Sequence, residues 1–232
     1  MIFIIAYRGT RAPHNIFFCH AVGYCVSRGH SAFQKDLHID NWAFYSTMLS
    51  TMIIDACDYD IIQNNVPVLT RTDDGRYTNT NCWLCNFDIE SKNIKNVLSV
   101  FDYKSNILDS IKQFGYSPRY VPVLRILTNT SIQTPDFDIF QDVLAVALCL
   151  DKNKDEPTWL DYFEVNRNYR RNITATQKYK TVGGGMLTSL QKVYRNQGIE
   201  GRAFLDALPF YFKYGFERID NRECYLRWLP QR

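Results

Sequence analysis

A chain of 232 residues, 46% hydrophobic and 22% charged, is long enough to bury a core and has the balance of a globular rather than a disordered or fibrous protein. Its formal net charge of +3, with Lys and Arg spread along the sequence, argues against a nucleic-acid partner. Seven Cys without regular spacing argue against a disulfide framework and for a reducing compartment. No run approaches the roughly 18 apolar residues of a membrane span, so the expectation is a cytoplasmic protein with no membrane partner.

The apolar run Met1–Tyr7 is too short for a signal peptide, lacks a basic n-region and reads as a buried strand. Asp40 can cap a helix that carries Trp42, Tyr45, Leu49, Met52, Ile53 and Ala56 on one face. Val66–Thr70 and Cys82–Phe87 read as the arms of a hairpin around the turn Thr72-Asp73-Asp74-Gly75-Arg76. Ile94–Phe114 carries two apolar stripes and predicts helix in two pieces, stopped at Gly115. The pattern then changes to β-branched and apolar runs at Tyr120–Leu127, Asp142–Leu150 and Trp159–Asn166, with a polar turn at 151–157. Strands without helices between them predict an antiparallel meander.

After a loop and a glycine triplet, Leu187, Leu190, Val193 and Tyr194 give a helix from about Met186 to Arg195 an apolar face, ended by Gly198. Ile199–Leu205 reads as a strand, Asp206 as the cap of a short helix through Tyr214, and Phe216–Ile219 with Glu223–Trp228 as a hairpin around Asp220-Asn221-Arg222. The order β-β-β-α-β-α-β-β defines an α+β protein with a mixed, largely antiparallel central sheet flanked by helices, following an N-terminal extension. Residues 1–88 form an N-terminal segment that either completes this fold or makes an accessory domain; residues 89–232 carry the principal domain.

Cys82-Trp83-Leu84-Cys85 has the spacing of half a zinc site, and Cys19, His20, Cys25 and His30 could supply further ligands. These spacings match no zinc pattern, so the thiols read as buried and no metal is expected. Nothing marks Cys19 or another Cys, with His38, as a nucleophile and base.

The segment that carries chemistry runs from the strand Trp159–Val165 through Lys180-Thr181-Val182-Gly183-Gly184-Gly185 to Phe210-Tyr211-Phe212-Lys213-Tyr214-Gly215-Phe216. A strand leading to glycines and then a helix suits a pyrophosphate cradle. Side-chain-free residues let backbone N–H groups approach an anion, and the helix N-terminus adds partial positive charge. The segment has neither the dinucleotide fingerprint nor the Lys-Ser/Thr of a P-loop.

Phe163-Glu164-Val165, the Lys180–Gly185 stretch and Tyr211-Phe212-Lys213-Tyr214-Gly215-Phe216, in that order, resemble the motifs of the GCN5-related N-acetyltransferase (GNAT) superfamily over the C-terminal half of the chain. The resemblance implies an acyl-CoA-dependent N-acyltransferase, with acetyl-CoA as co-substrate and an amine, small molecule or protein, as acceptor. It implies that the backbone at Phe163 and Val165 pairs with the pantetheine arm. It further implies that Lys180, Thr181, Val182, Gly183, Gly184 and Gly185 hold the pyrophosphate, and that Tyr211 protonates the departing thiolate.

A base on the strand is also implied, and Asp161 and Glu164 are its two acids. Period-two alternation puts Asp161 on the face of Phe163 and Val165 and Glu164 on the other, which favours Asp161. The sequence departs from the family pattern in three places. Lys180 stands where Arg or Gln is usual, Phe204 stands where an Asn often precedes the Tyr by seven residues, and about ten extra residues follow Val165. Of these, Asn172–Gln177 is expected to be a mobile flap at the acceptor entrance. A non-catalytic CoA-binding or interaction module on the same fold, and an aminoacyl-tRNA-dependent transferase, remain as alternatives.

Overall fold

A computed structural model describes residues 54, 57–130, 132, 137–152, 155–170, 178–219 and 224–230, all within a compact unit that begins at Ile54. The expected strand at Met1–Tyr7, nearly all of the helix after Asp40, the Cys19–His38 candidates, the flap Asn172–Gln177 and the turn Asp220-Asn221-Arg222 lie outside the described residues.

Strands β1 (Tyr59–Arg71) and β2 (Tyr77–Phe87) form the expected hairpin. Its turn is closed by the Gly75 amide donating to the Thr72 carbonyl at 2.9 Å, with Gly75 at φ 82°. β1 starts seven residues before the expected Val66. Two register shifts, after Ile61 and after Gln63, and Asn65 at φ 65° break the alternation that would have signalled a strand.

Helix α1 (Ile94–Val97), a 3₁₀ turn (Leu98–Val100) and helix α2 (Lys104–Gly115) follow. Then come β3 (Val121–Thr128), the single-turn α3 (Ile139–Asp142), β4 (Val143–Asp151) and β5 (Thr158–Val165). The short β6 (Tyr179–Lys180) leads into α4 (Val182–Val193). The chain continues through β7 (Ile199–Arg202), a 3₁₀ turn (Leu205–Ala207), α5 (Leu208–Lys213), β8 (Glu217–Arg218) and β9 (Tyr225–Trp228).

The nine strands form one sheet of order β6-β1-β2-β3-β4-β5-β7-β9-β8. Every pairing is antiparallel except β5 with β7. The α+β, GNAT-like layout of a mixed, largely antiparallel sheet flanked by helices is therefore present. Tyr59–Phe87, within the segment set apart from the sequence, supplies two of its strands.

The sheet is covered on both faces. On one, Met186, Leu187 and Leu190 of α4 pack with Val66, Val68, Leu84, Leu127 and Leu160. On the other, Ile94, Val97, Leu98, Ile107 and Ile111 pack with Phe87, Leu124, Ile126, Val146 and Leu148. Burial of each such aliphatic contributes about 1.5–3 kcal/mol. β4 is central and buried from Val143 to Leu150, which is why its sequence is an unbroken apolar run.

Two boundaries differ from expectation. α4 begins at Val182 rather than Met186, so the glycine triplet forms its first turn instead of a loop before it. β7 stops at Arg202, and Asp206 lies in a 3₁₀ turn while α5 starts at Leu208 with Pro209 in its first turn.

Cys82 belongs to one core and Cys85 to the other. Odd spacing on a strand sends side chains to opposite faces, so the two thiols do not converge on a metal. Burial pushes both up to about 12 and Cys149 up to about 11, from an ordinary 9.0. The native state thus retains protons that the unfolded chain releases above pH 9.0. Stability from these groups is fully present below that pH and is lost as pH climbs toward about 12. Brief alkylation at pH ~8 followed by peptide mapping should modify the exposed Cys57 and spare Cys82, Cys85 and Cys149, while thermal melts should weaken only above pH ~9. Early modification of Cys82 or Cys85 in native protein would contradict this packing.

Candidate active site

The parallel pairing of β5 and β7 is short. It holds for Thr158 with Ile199, Trp159 with Glu200 and Leu160 with Gly201, and then ends. β5 continues to Val165 while β7 stops at Arg202. The register of β4 against β5 jumps from Leu148–Tyr162 to Cys149–Leu160, leaving Asp161 as the extra residue of a bulge. A bulge bends its strand and raises local twist, which turns β5 away from β7 at the last paired residue. Gly201 permits the final close contact, since a Cβ there would lie 2.9 Å from the Leu160 carbonyl oxygen. Beyond it a slot opens between the strands, walled by Leu160, Asp161, Phe163, Ala203, Tyr211 and Phe216 among others, with a volume of about 20 Å³. That is room for about one water.

The two strand acids occupy different environments. The Asp161 carboxylate accepts from the Trp159 indole N–H at 3.3 Å through Oδ1. Its Oδ2 is buried and has no hydrogen-bond partner among the described residues. Glu164 is buried, 6% exposed. Its Oε1 accepts from the Asp102 amide at 2.8 Å and pairs with the Arg170 guanidinium, and its Oε2 accepts from the Tyr103 amide at 3.2 Å. Arg170 also donates to Asp102 at 2.7 Å and to the Val165 carbonyl at 3.0 Å. Glu164 is thus the anchor of the α2 N-terminus, and the structure does not bring it to the slot. The Val165 carbonyl, expected to meet the pantetheine arm, is already held by Arg170.

At the start of α4, Thr181 adopts φ 61°, and its hydroxyl donates back to the Lys180 carbonyl at 2.6 Å instead of capping the helix. The Gly185 amide makes the first helical bond, to the Thr181 carbonyl at 2.8 Å. The amides of Val182, Gly183 and Gly184 precede that bond and receive no side-chain cap. The Gly185 amide is therefore already engaged within the helix, whereas those of Val182, Gly183 and Gly184 are the ones positioned to meet a group beyond its N-terminus.

The glycines also answer a packing demand. A Cβ at Gly185 would lie 2.8 Å from the Pro67 carbonyl oxygen on β1. At Gly184 it would fall inside the Tyr214 phenol, 2.7 Å from Cζ. At Gly183 it would meet Phe210 and Val165 at an ordinary 3.4 Å. Lys180 does not reach toward the amides; its ammonium lies 3.8 Å above the Tyr77 ring.

Tyr211 faces the slot within an aromatic group that the sequence did not define as such. Its ring contacts Phe163 edge-on at 6.2 Å, Phe210 at 5.2 Å and Phe216 at 5.5 Å. Burial pushes its hydroxyl up to about 12, so it is a protonated donor throughout the neutral range. Tyr211, Asp161 and Phe163 are thus brought together on one slot. Phe210 and Tyr214 seal the glycines, and their i, i+4 spacing downstream of a glycine triplet is the signal the sequence carries for it.

No protein-family model matches the chain, and no curated protein matches it. Among the described residues no group of His, Cys, Asp and Glu is placed to hold a metal ion, and no helix is long and apolar enough to cross a membrane.

The contrast between the acids is measurable. Glu164→Gln removes charge from a buried, fully bonded carboxylate and should cost about 1–3 kcal/mol in denaturant unfolding. Asp161→Asn changes a group with an unpartnered oxygen and should cost under about 1 kcal/mol. The reverse ranking would show that the two roles are exchanged.

Proposed function

We propose that the chain is an acyl-CoA-dependent N-acyltransferase, transferring acetyl from acetyl-CoA to an amine. The observation that carries this reading is the slot where β5 and β7 part. Its lining includes Tyr211 and Asp161, whose buried Oδ2 has no hydrogen-bond partner among the described residues, and a helix with an uncapped first turn follows β5 in the sequence. An extended, amide-bearing arm can add to a strand edge that its neighbour has left, and pyrophosphate suits a helix N-terminus.

In this reading Asp161 accepts a proton from the attacking amine nitrogen. As the new C–N bond forms and the C–S bond breaks, Tyr211 donates a hydrogen bond to the sulfur. Burial pushes the Tyr211 hydroxyl up to about 12, so it holds its proton and acts as a hydrogen-bond donor to the sulfur. Tyr211 therefore stabilises developing charge, and the thiolate is protonated by solvent after it leaves. The slot holds about 20 Å³, so the arm enters only when α5, a six-residue helix, shifts with Phe210 and Tyr211. That same closure favours one second reading, a CoA-binding module without turnover.

The amide cradle can be probed at Gly183 but not at Gly184, where any side chain collides with Tyr214. Gly183→Asp places a carboxylate in the first turn of α4. This should leave thermal stability equal or raised by about 0.3–1 kcal/mol through the helix dipole, while calorimetric acetyl-CoA affinity falls at least about tenfold. Unchanged affinity in a folded variant would remove the cradle. Tyr211→Phe should lower turnover about 10²-fold or more with little change in acetyl-CoA affinity; wild-type binding without any acylated product would support the non-catalytic reading.

A further inference from the structure

The register of β5 against β4 shows which backbone groups lie on the edge that β7 leaves. The Asn166 amide donates to the Leu144 carbonyl at 2.8 Å, so these two residues form a hydrogen-bonded pair. On an antiparallel ladder such pairs alternate with pairs whose backbone groups point to the other side. Val165, opposite Ala145, and Phe163, opposite Ala147, are of that second kind. Their N–H and C=O groups therefore point away from β4, to the side where pairing with β7 ends at Leu160.

The Val165 carbonyl on this edge is already engaged. Arg170 Nε donates to it at 3.0 Å. The same guanidinium donates through Nη1 to Asp102 at 2.7 Å and pairs through Nη2 with Glu164. All of its nitrogens are thus in use, and two carboxylates fix the plane of the fork against the strand. Val165 is also where β5 meets the start of α4, because a Cβ on Gly183 would touch its Cγ2 at 3.4 Å. An arm running from the α4 amides along β5 to the slot therefore passes Val165 before it reaches Phe163 and Asp161.

We propose that Arg170 is a latch on this edge, holding the Val165 carbonyl in the ligand-free protein and giving it up to the amide-bearing arm of the acyl donor. The inference rests on the acyltransferase reading. Release is a local event. The Arg170 side chain is 35% exposed and that of Asp102 48%, so the guanidinium can pivot outward with one of its partners. Glu164 meanwhile keeps the amides of Asp102 and Tyr103. Donor binding exchanges one hydrogen bond to Val165 for another, and the latch weakens it by the bond that must first be broken.

The test separates the fork from its charge. Arg170→Lys keeps a cation beside Glu164, but a compact ammonium cannot span two carboxylates and the carbonyl as a planar fork does. Calorimetric acetyl-CoA affinity of the full chain should rise about two- to tenfold, the size of one hydrogen bond. Affinity for ADP, which carries the pyrophosphate without the arm, should stay unchanged. In the wild type, the Arg170 Nε–H resonance should be protected from solvent exchange in the ligand-free chain and lose that protection at saturating acetyl-CoA. Melting curves control for folding, and if the variant melts early the Nε–H exchange decides. If acetyl-CoA binds the wild type but Arg170→Lys binds it no more tightly, or gains equally for ADP, or the Nε–H stays protected at saturation, the latch is overturned and the acyltransferase reading stands. If neither the wild type nor Arg170→Lys binds acetyl-CoA, both fall.

Discussion

The geometry of the candidate site follows from the place where β5 and β7 stop being neighbours. Three residue pairs hold the two strands parallel, and the bulge at Asp161 then bends β5 away. Without the bulge, the backbone of β5 would continue against β7 and its hydrogen bonds would close the sheet. With it, the sheet has an internal edge whose polar groups need a partner other than a strand. The aromatic side chains of α5 partly fill the opening. Arg170 takes the last carbonyl of β5, and Asp161 is left with one buried oxygen that has no partner among the described residues.

The second constraint is the approach of α4 to its surroundings. Gly185 lets the helix touch the backbone of β1, and Gly184 lets the Tyr214 phenol lie flush against the first turn. Gln191 on the same helix donates to the Tyr214 carbonyl at 2.7 Å. The end of α5 is thus held against α4 at two places, by the Tyr214 ring at the first turn and by Gln191 near the other end of the helix. A ligand seated on the uncapped amides of that first turn and an arm lying in the slot would be coupled through one short helix. The far end of α4 is pinned separately. The Tyr194 hydroxyl accepts from Arg125 at 2.9 Å and donates to Asp151 at 2.8 Å, a buried network tying the helix to β3 and β4.

The strands that sequence reading located to within a residue or so are β3, β4 and β5, because burial on both faces or a clean alternation leaves an unmistakable pattern. The facing of Asp161 cannot be read by counting, because period-two alternation assumes an unbroken register and Asp161 is the bulged residue. What Glu164 does was not legible, because its partners Arg170, Asp102 and Tyr103 are distant in sequence or on other elements. The bulge at Asp161 has no local signature; it exists in the register with β4. Glycine's low helix propensity explains why the triplet reads as loop while tertiary packing makes it the first turn of a helix.

The claim on which the rest depends is that a coenzyme A thioester occupies the internal edge of the sheet, with its phosphates on the α4 amides. Backbone amide chemical shifts of the isotopically labelled chain, followed during titration with acetyl-CoA, address it directly. The account requires the largest changes at Val182, Gly183 and Gly184 and along Asp161–Phe163, with smaller changes at Phe210–Tyr214 as α5 moves. Saturable changes confined to another part of the molecule, or none at these residues at saturating ligand, would contradict it.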